Sequence, residues 1–582
     1  MSTQLREYAQ RLTLAVFAKS FDEICAKFGV GEQAELRQKI ASELVIEQPK
    51  DKSLAHFATP VAFGLAKVFR RAPNLIAQEL AAALNSNLNE SFGEAFEVSA
   101  LNGYVNLRFT PNLLQKFANE ALEAGEKFGA NLFCQEGSVR GGEGEKSNSN
   151  LTKQPHSLFV EYISANPTGP LHIGHVRGAV FGDCLVRLGR HLGANVRAEY
   201  YINDAGNQIA LLGESISLYA RENLLHQSVT YPEKFYRGDY IKPIAQEALE
   251  RFGEEIFTDA ARNDELAEFG KDKVLEIIKK DLADAKIEIE SWASERSFYP
   301  QLEATLTRLK QSGEVYEKDG ATYIQSTKLG DDQDRIVVRS DGRATYLAGD
   351  IVYHAAKFDT GFDRYINIWG ADHHGYIPRL KAALHFLGYD ENKLEVVLMQ
   401  MVSLLKDGEA FKMSKRAGNA ILMSDVLSEI GADALRFIFI SKLHTTPLEF
   451  DVETLKKQDA SNPVFYINYA FARVNQLFAK AQKTPSCVLD ADLTTLSPEA
   501  QNLLFEALSS PDVMLNAFVK REIHKLPEFL RQLASDLHKF YNENRVLNSK
   551  DEAAFLKLFA VVANTIFVGL TTLGITPKRV MN

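Results

Sequence analysis

Two short polar segments carry the side chains best suited to handling phosphate. The first, Asn166, Pro167, Thr168, Gly169, Pro170, Leu171, His172, Ile173, Gly174, His175, stands where a strand should end and a helix begin. A helix start presents unpaired N–H groups and a positive dipole end, so a phosphate placed there gains both hydrogen bonds and charge stabilisation. His172 and His175 can donate to its oxygens, and Gly174 lets a flat adenine ring approach the backbone. The second segment, Lys412, Met413, Ser414, Lys415, lies in a polar loop between Gly408 and Gly418. Two ammonium groups there would stabilise charge building on departing pyrophosphate more than they stabilise the ground state, which lowers a barrier. Each segment alone also has a plainer reading, as a turn with structurally satisfied histidines or as a solvated basic loop. Glu161 and Asp350, the latter four residues after Tyr346, add carboxylates of the kind a planar guanidinium fork demands. Taken singly, each of these acids is equally readable as a surface residue or a helix cap.

The elements that must position these groups are legible in outline. Leu158 to Tyr162 reads as a strand, His175 to Leu192 as a helix and Val196 to Ile202 as a strand, the order of a parallel crossover unit. Val176, Val180, Cys184, Leu185 and Leu188 give the helix an apolar face, and Gly193 can close it in the left-handed conformation. From Glu214 to about Leu306 charged and apolar residues alternate at helical spacing, which predicts an inserted helical layer rather than sheet. Strand patterns resume at Ala321 to Ile324, Arg335 to Arg339, Tyr365 to Trp369 and Val396 to Met399. The catalytic α/β domain is therefore expected over 158–455, with its helical insertion at about 214–306. An N-terminal α+β domain over 1–133 is mostly helical, with strand-like alternation from Tyr104 to Phe109. Residues 134–157 read as a flexible linker, because Gln135 to His156 offers almost no apolar surface to bury. An all-α bundle is expected over 456–582.

Bulk properties set limits on function. A chain of 582 residues exceeds what one hydrophobic core organises, and 45% hydrophobic with 24% charged residues is ordinary for folded proteins. The formal charge of -10 argues against indiscriminate nucleic-acid binding and confines any RNA surface to local basic patches. Cys25, Cys134, Cys184 and Cys487 lack paired zinc-ligand spacing, so no disulfide and no zinc site is expected. Leu558 to Ile575 barely reaches membrane-spanning length and is interrupted by Asn564, Thr565, Gly569, Thr571 and Thr572, which predicts a buried helix. With no export signal at the N-terminus, the expected location is the cytoplasm.

Taken together, the two polar segments resemble the HIGH and KMSK signatures of class I aminoacyl-tRNA synthetases, both without substitution. The runs Val160 to Pro167, Tyr201 to Gln208, Trp369 to Tyr376 and Gly431 to Phe437 are similar to arginyl-tRNA synthetases of bacterial type, and the resemblance runs nearly end to end. It implies a Rossmann-like parallel-sheet catalytic domain that activates arginine with ATP and Mg2+ and loads it onto arginine tRNA through the 2′ oxygen, in a protein expected to be a monomer. Position by position, it implies that Glu161 and Asp350 hold the guanidinium beside Tyr346, and that Asn166 and His172 meet the α-amino and carboxylate end. Gly370 and Asp372 would meet the ATP ribose, Gly174 the adenine, and His172, His175, Lys412 and Lys415 the phosphates, with Met413 and Ser414 completing that loop. Ala348 and Gly349 stand where some branches carry Thr and Arg and are left out of the site. Tyr104 and Asn106 match the strand expected to contact the outer corner of tRNA. Tyr469 and Arg473 match the anticodon-facing helix, whose Asn468 and Phe471 depart from the usual Gln and His. An ordinary hairpin strand and a core-packing helix remain the plainer readings of these last two segments. The resemblance also implies that activation requires bound tRNA. A synthetase for cysteine or glutamate would need a metal or cationic residues in place of the two acids, and an RNA-binding protein without catalysis would not need both signatures intact.

Overall fold

The computed structural model describes residues 4–31, 33–49, 51–133, 156–406, 408–410 and 421–581. Lys412, Met413, Ser414, Lys415, Cys134 and the expected linker to 155 lie outside them.

The N-terminal region packs α1 (Leu5–Phe28), α2 (Ala34–Ser42), α3 (Val61–Phe69), α4 (Pro73–Phe92) and α5 (Pro111–Ala124) around an antiparallel sheet. Its strands β1 (Phe57–Thr59), β2 (Phe96–Leu101) and β3 (Tyr104–Phe109) run in the order β1-β3-β2. Only β3 is visible in the sequence pattern. Asn102 and Gly103 join it to β2 with φ of 51° and 83°, the pair of left-handed residues that a two-residue hairpin turn needs.

The catalytic region is built on a five-stranded parallel sheet of β4 (Ser157–Glu161), β5 (Asn195–Ile202), β6 (Ser291–Ser294), β10 (Arg364–Gly370) and β11 (Leu394–Met399), in the order β11-β10-β4-β5-β6. Helix α6 (Ile173–His191) crosses from β4 to β5. Between β5 and β6 lie α7 (Asn207–Asn223), α8 (Ile241–Phe252), α9 (Glu255–Thr258) and α10 (Asn263–Asp284). The stretch expected to be an all-helical insertion thus also supplies β6, the edge strand of the main sheet. Four residues, Ser291, Trp292, Ala293 and Ser294, half-buried and without apolar alternation, give no strand pattern to read. Beyond α11 (Leu302–Gln311), strands β7 (Val315–Lys318), β8 (Ala321–Ile324) and β9 (Arg335–Val338) form a separate antiparallel sheet. Then come α12 (Tyr346–Phe358), β10, α13 (Ile377–Phe386) and β11. The strands β12 (Val402–Lys406), β13 (Glu409–Ala410) and β14 (Leu448–Asp451) make a small third sheet around α14 (Met423–Phe439), and α15 (Val452–Lys456) ends the region.

The C-terminal bundle contains α16 (Pro463–Ala481), α17 (Pro498–Leu508), α18 (Ser510–Val519), α19 (Lys525–Glu543) and α20 (Glu552–Thr572). Helix α20 is long and apolar enough to cross a membrane, but 78% of its most apolar window is buried inside the protein. It is the central helix of a bundle.

Buried polar contacts join the three regions. Arg436 on α14 is fully buried; its guanidinium donates to the carbonyls of Leu573 (2.7 Å), Ala285 (3.1 Å) and Lys286 (3.0 Å) and pairs with Asp183 on α6. Gly574 leaves the room it needs, since a Cβ there would meet the guanidinium at 2.5 Å. At the other end, and exposed, α1 has no side-chain N-cap of its own, and its Arg6 N–H donates to Asp512 on α18 at 3.2 Å. His56, just before β1, stacks on Phe505 of α17 at 4.0 Å.

Candidate active site

The order of the main sheet reverses at β4. From β4 the chain moves outward through β5 and β6, then returns to β10 and β11 on the other side. Adjacent parallel strands whose connections leave in opposite directions part at their C-terminal ends and open a crevice. Asn367 of β10 lies beside Glu161 of β4, so Glu161 and the Trp369–Gly370 end of β10 form its floor and rim.

Helix α6 starts at this crevice, and its two histidines cap it reciprocally. The Gly174 N–H donates to His172 Nδ1 at 3.2 Å, and the His172 N–H donates to His175 Nδ1 at 3.3 Å. The rings lie 3.7 Å apart. Burial lowers the His172 pKa, and burial together with His172 brings His175 down to about 4. Both are therefore neutral at pH 7. With Nδ1 occupied as an acceptor, each carries its proton on Nε2, which makes it a hydrogen-bond donor rather than a cation. A Cβ at Gly174 would press on the His172 ring at 3.0 Å, so this glycine makes room for the imidazole.

The segment that leaves the lysine loop is hydrogen-bonded to the same helix start. Ile173 N–H donates to the Ile421 carbonyl at 2.7 Å, and Met423 N–H donates to the Leu171 carbonyl at 2.8 Å. Lys415 stands six positions before Ile421 in the chain, a span of at most about 20 Å even when fully extended.

A second group of side chains is acidic and gathers around α12. Asp350, in the first turns of α12, accepts a short hydrogen bond from Tyr376. Burial, reinforced by Glu295 and Glu161 and opposed by the Tyr376 bond, pushes its pKa up to about 7. Glu295, in the turn after β6, is itself raised by burial and by Asp204. Its Oε1 lies where a Cβ on Gly349 would come within 2.8 Å, so the glycine in a position left out of the expected site is what admits this acid. Tyr201 at the end of β5 is pushed far above the usual tyrosine range by burial and then by Asp350, Glu295 and Glu161. Tyr346, 58% exposed, lies over Gly206, where a Cβ would meet its hydroxyl at 3.3 Å. Carboxylates gathered behind an exposed aromatic ring make a receptor for a cationic side chain.

Glu161 proves to be engaged from within the protein. Its Oε2 accepts from Lys357 Nζ at 2.9 Å and lies 3.1 Å from the Tyr353 hydroxyl, and its Oε1 accepts from Ser164 at 3.1 Å. Burial penalises its charge, but Lys357, His354 and the Tyr353 hydroxyl together more than offset this and its pKa is lowered. Lys357 also donates to Asn367 Oδ1 at 2.5 Å, and the Asn367 amide lies 2.8 Å from His354 Nε2. His354 Nδ1 lies 2.8 Å from the Asp350 carbonyl. A carbonyl only accepts, so Nδ1 carries the proton and Nε2 takes the amide hydrogen. Burial and Lys357 hold this histidine at about 4, so it is neutral. Asp350, His354 and Lys357 recur at helical spacing on α12, a stripe the sequence does contain. Glu295 had no comparable local signal. Tyr201 and Tyr376 stand inside the runs that carry the family resemblance, without an assigned role.

The backbone after β4 is strained: Ile163 has φ 76° and Ser164 φ 43°. A β-branched residue rarely adopts such angles, and the Ser164 hydroxyl holds the bend by bonding both Glu161 and, at 3.1 Å, the Tyr201 N–H. Asn166 is exposed on the same loop. Asp372 is exposed just past β10, and a Cβ on Gly370 would collide with its carboxylate. Among the described residues no group of three or more His, Cys, Asp or Glu side chains could hold a metal ion, and Cys25, Cys184 and Cys487 are free thiols.

The residues expected to meet RNA lie far from this crevice in the chain. Tyr104 is half-exposed and meets Phe63 edge-on at 5.3 Å, whereas Asn106, two residues on, is buried. On α16, Tyr469 is half-exposed and stacks with His538 of α19 at 5.4 Å. Arg473 donates to Asn542 at 3.0 Å and lies 3.9 Å over the ring of Tyr541. The two departures from the family pattern are core residues: Phe471 is buried, and buried Asn468 accepts the Lys578 N–H at 2.8 Å.

A parallel sheet with a crevice at its reversal, a histidine-capped helix start and the returning loop exit define a catalytic domain of the class I tRNA synthetase type. The family model for tRNA synthetases class I (R), catalytic domain, matches residues 143–449. The arginyl tRNA synthetase N terminal domain matches 16–109 and the DALR anticodon binding domain 467–581. The chain belongs to the arginyl-tRNA synthetase family. It is 59% identical to the arginine–tRNA ligase of Campylobacter curvus, over 94% of this chain and 98% of that one. With the Campylobacter fetus enzyme it shares 58%, over 94% and 99%. The arginyl-tRNA synthetase structure from Thermus thermophilus, at 21% identity, has the same fold, with a TM-score of 0.70 over 99% of this chain and all of that one.

Proposed function

We propose that this protein is an arginine–tRNA ligase. It uses ATP to convert L-arginine to arginyl-adenylate and then transfers the arginyl group to the 3′-terminal ribose of its tRNA, releasing AMP and pyrophosphate. The observation that carries this reading is the cluster of Asp350, Glu295 and Glu161, together with a helix start whose histidines both carry a proton on Nε2.

In the first step the arginine carboxylate attacks the α-phosphorus in line and pyrophosphate leaves. Asp350 and Glu295 grip the guanidinium under Tyr346, while Glu161 supplies negative charge from behind; Asn166 and His172 orient the α-amino and carboxylate groups. The Nε2–H groups of His172 and His175 bond the phosphates without adding charge, leaving Lys412 and Lys415, with Met413 and Ser414, to neutralise the leaving group. Gly174 makes room for adenine, and Gly370 and Asp372 receive the ribose. Mg2+ accompanying ATP screens its triphosphate oxygens. In the second step the 2′ oxygen of the terminal ribose attacks the activated carbonyl. Tyr104 meets the outer corner of the tRNA, Asn106 being buried in the same strand, and Tyr469 and Arg473 meet its anticodon, where exposed aromatics stack on unpaired bases. The enzyme works in the cytoplasm as a monomer, without zinc, and its first step requires bound tRNA.

A charging assay with ATP, unfractionated tRNA and single amino acids tests the reading. Arginine alone should be incorporated; incorporation of a different amino acid, or of none, would overturn it.

A further inference from the structure

Lys357 is fully buried on α12 at the back of the acidic pocket, yet its ammonium group has no route to solvent and no substrate to meet. It closes an ion pair with Glu161 at 2.9 Å, donates to Asn367 at 2.5 Å, and stands 4.9 Å and 5.3 Å from the ring centroids of Phe159 and Tyr353. Those contacts fill the space around it. Through Asn367 and His354 it is also tied to the carbonyl of Asp350 itself.

The pocket therefore gathers three carboxylates, Asp350, Glu295 and Glu161, against one resident cation. A single bound guanidinium cannot satisfy all three. Left free, Glu161 and Asp350 would offer it two competing seats and would each resist the other's ionisation.

We infer that Lys357 is a positioning residue for arginine recognition: by closing off Glu161 it commits the guanidinium to Asp350 and Glu295, and its charge offsets that of the Glu161 carboxylate beside Asp350. This rests on the arginine-ligase reading given above. The groups facing Asp350 come from four directions: Glu161 from β4, Tyr201 from β5, Glu295 from the turn after β6, and Tyr376 from the turn before α13. His354 and Lys357 share its helix, and Glu199 of β5 meets the network through the Tyr353 hydroxyl at 2.9 Å. Among these, only Lys357 is a cation at neutral pH, because His354 is neutral.

The test measures arginine charging by the full-length enzyme as a function of pH. In wild type, kcat/KM for arginine should fall on the acid side of about pH 7, where Asp350 takes up its proton. Lys357→Gln keeps a donor but removes the charge. Its acid limb should move upward by about one unit, so that KM for arginine at pH 7 rises about fivefold while KM for ATP stays within about twofold. Glu161→Gln leaves the ammonium unpaired and should move the limb the other way, and the double variant Lys357→Gln/Glu161→Gln should return it to the wild-type position. If Lys357→Gln does not fold, the Glu161→Gln and double variants carry the comparison: separate limbs support the role, coincident ones overturn it. Limbs that do not move in either single variant, or equal rises in KM for arginine and ATP, would also overturn it, since a merely structural lysine would act that way. Failure of wild type to load arginine would instead remove the functional reading first, which keeps the two failures apart.

Discussion

Asp350 pays for its role in stability, and the cost has a measurable sign. Its folded pKa, raised from 3.8 to about 7, means that the folded protein holds this proton more tightly than the unfolded chain does. Stability is therefore greatest while Asp350 is protonated, falls as pH rises from 3.8 to 7, and stays lowered above that by an amount on the order of 4 kcal/mol. Asp350→Asn should unfold at a higher temperature than wild type at pH 8, and scanning calorimetry should find the gap shrinking toward pH 4. The same variant should weaken arginine binding much more than ATP binding; equal weakening of both would count against its place in the pocket. At this scale the sequence was informative where a residue belongs to a run with a strict local geometry. His172 and His175 could be singled out because their neighbours define the helix start that holds them, and Asp350 because its spacing from Tyr346 matches the family pattern. Glu295 could not, because its place beside Asp350 depends on a glycine 54 positions away that leaves room for its carboxylate.

Helix α6 shows how an element can set chemistry through its cap. Gly174 is a poor helix residue, and Ala in its place should favour the helix by up to about 1 kcal/mol. Its Cβ would nevertheless press on the His172 ring at 3.0 Å and turn the Nε2–H away from the crevice. Gly174→Ala should therefore be at least as thermostable as wild type and much slower in ATP–pyrophosphate exchange measured with tRNA present; unchanged exchange would show that the ring's position does not matter. Elements were legible in proportion to length and pattern. The crossover unit β4–α6–β5 follows its apolar spacing to within two residues at each end, and the C-terminal region is helical as its composition implied. Strand β6 was missed, because a four-residue edge strand is specified by its partner β5 rather than by its own composition. Strands β1 and β2 likewise depend on β3, the one strand of the three with clean alternation.

Across the whole molecule, the catalytic and C-terminal regions meet at a buried charge. Arg436→Ala would strip buried Asp183, on the helix that bears both histidines, of one of its two guanidinium partners, leaving Arg187 at 2.7 Å, and would leave the carbonyls of Leu573, Ala285 and Lys286 without their donor. A loss of about 1–3 kcal/mol is expected from the unpaired backbone acceptors, read as a lower midpoint in urea. None of this joint is visible as pattern, since its acceptors are mainly backbone carbonyls whose positions exist only after folding.

The borrowed cap on α1 bears on how the protein is made. Arg6 and Asp512 are 506 residues apart, so at ribosomal speeds of about 5–20 residues per second the first helix waits on the order of 25–100 s for the carboxylate that completes it. The first turn of α1 can therefore complete its hydrogen bonding only after most of the rest of the polypeptide has been translated.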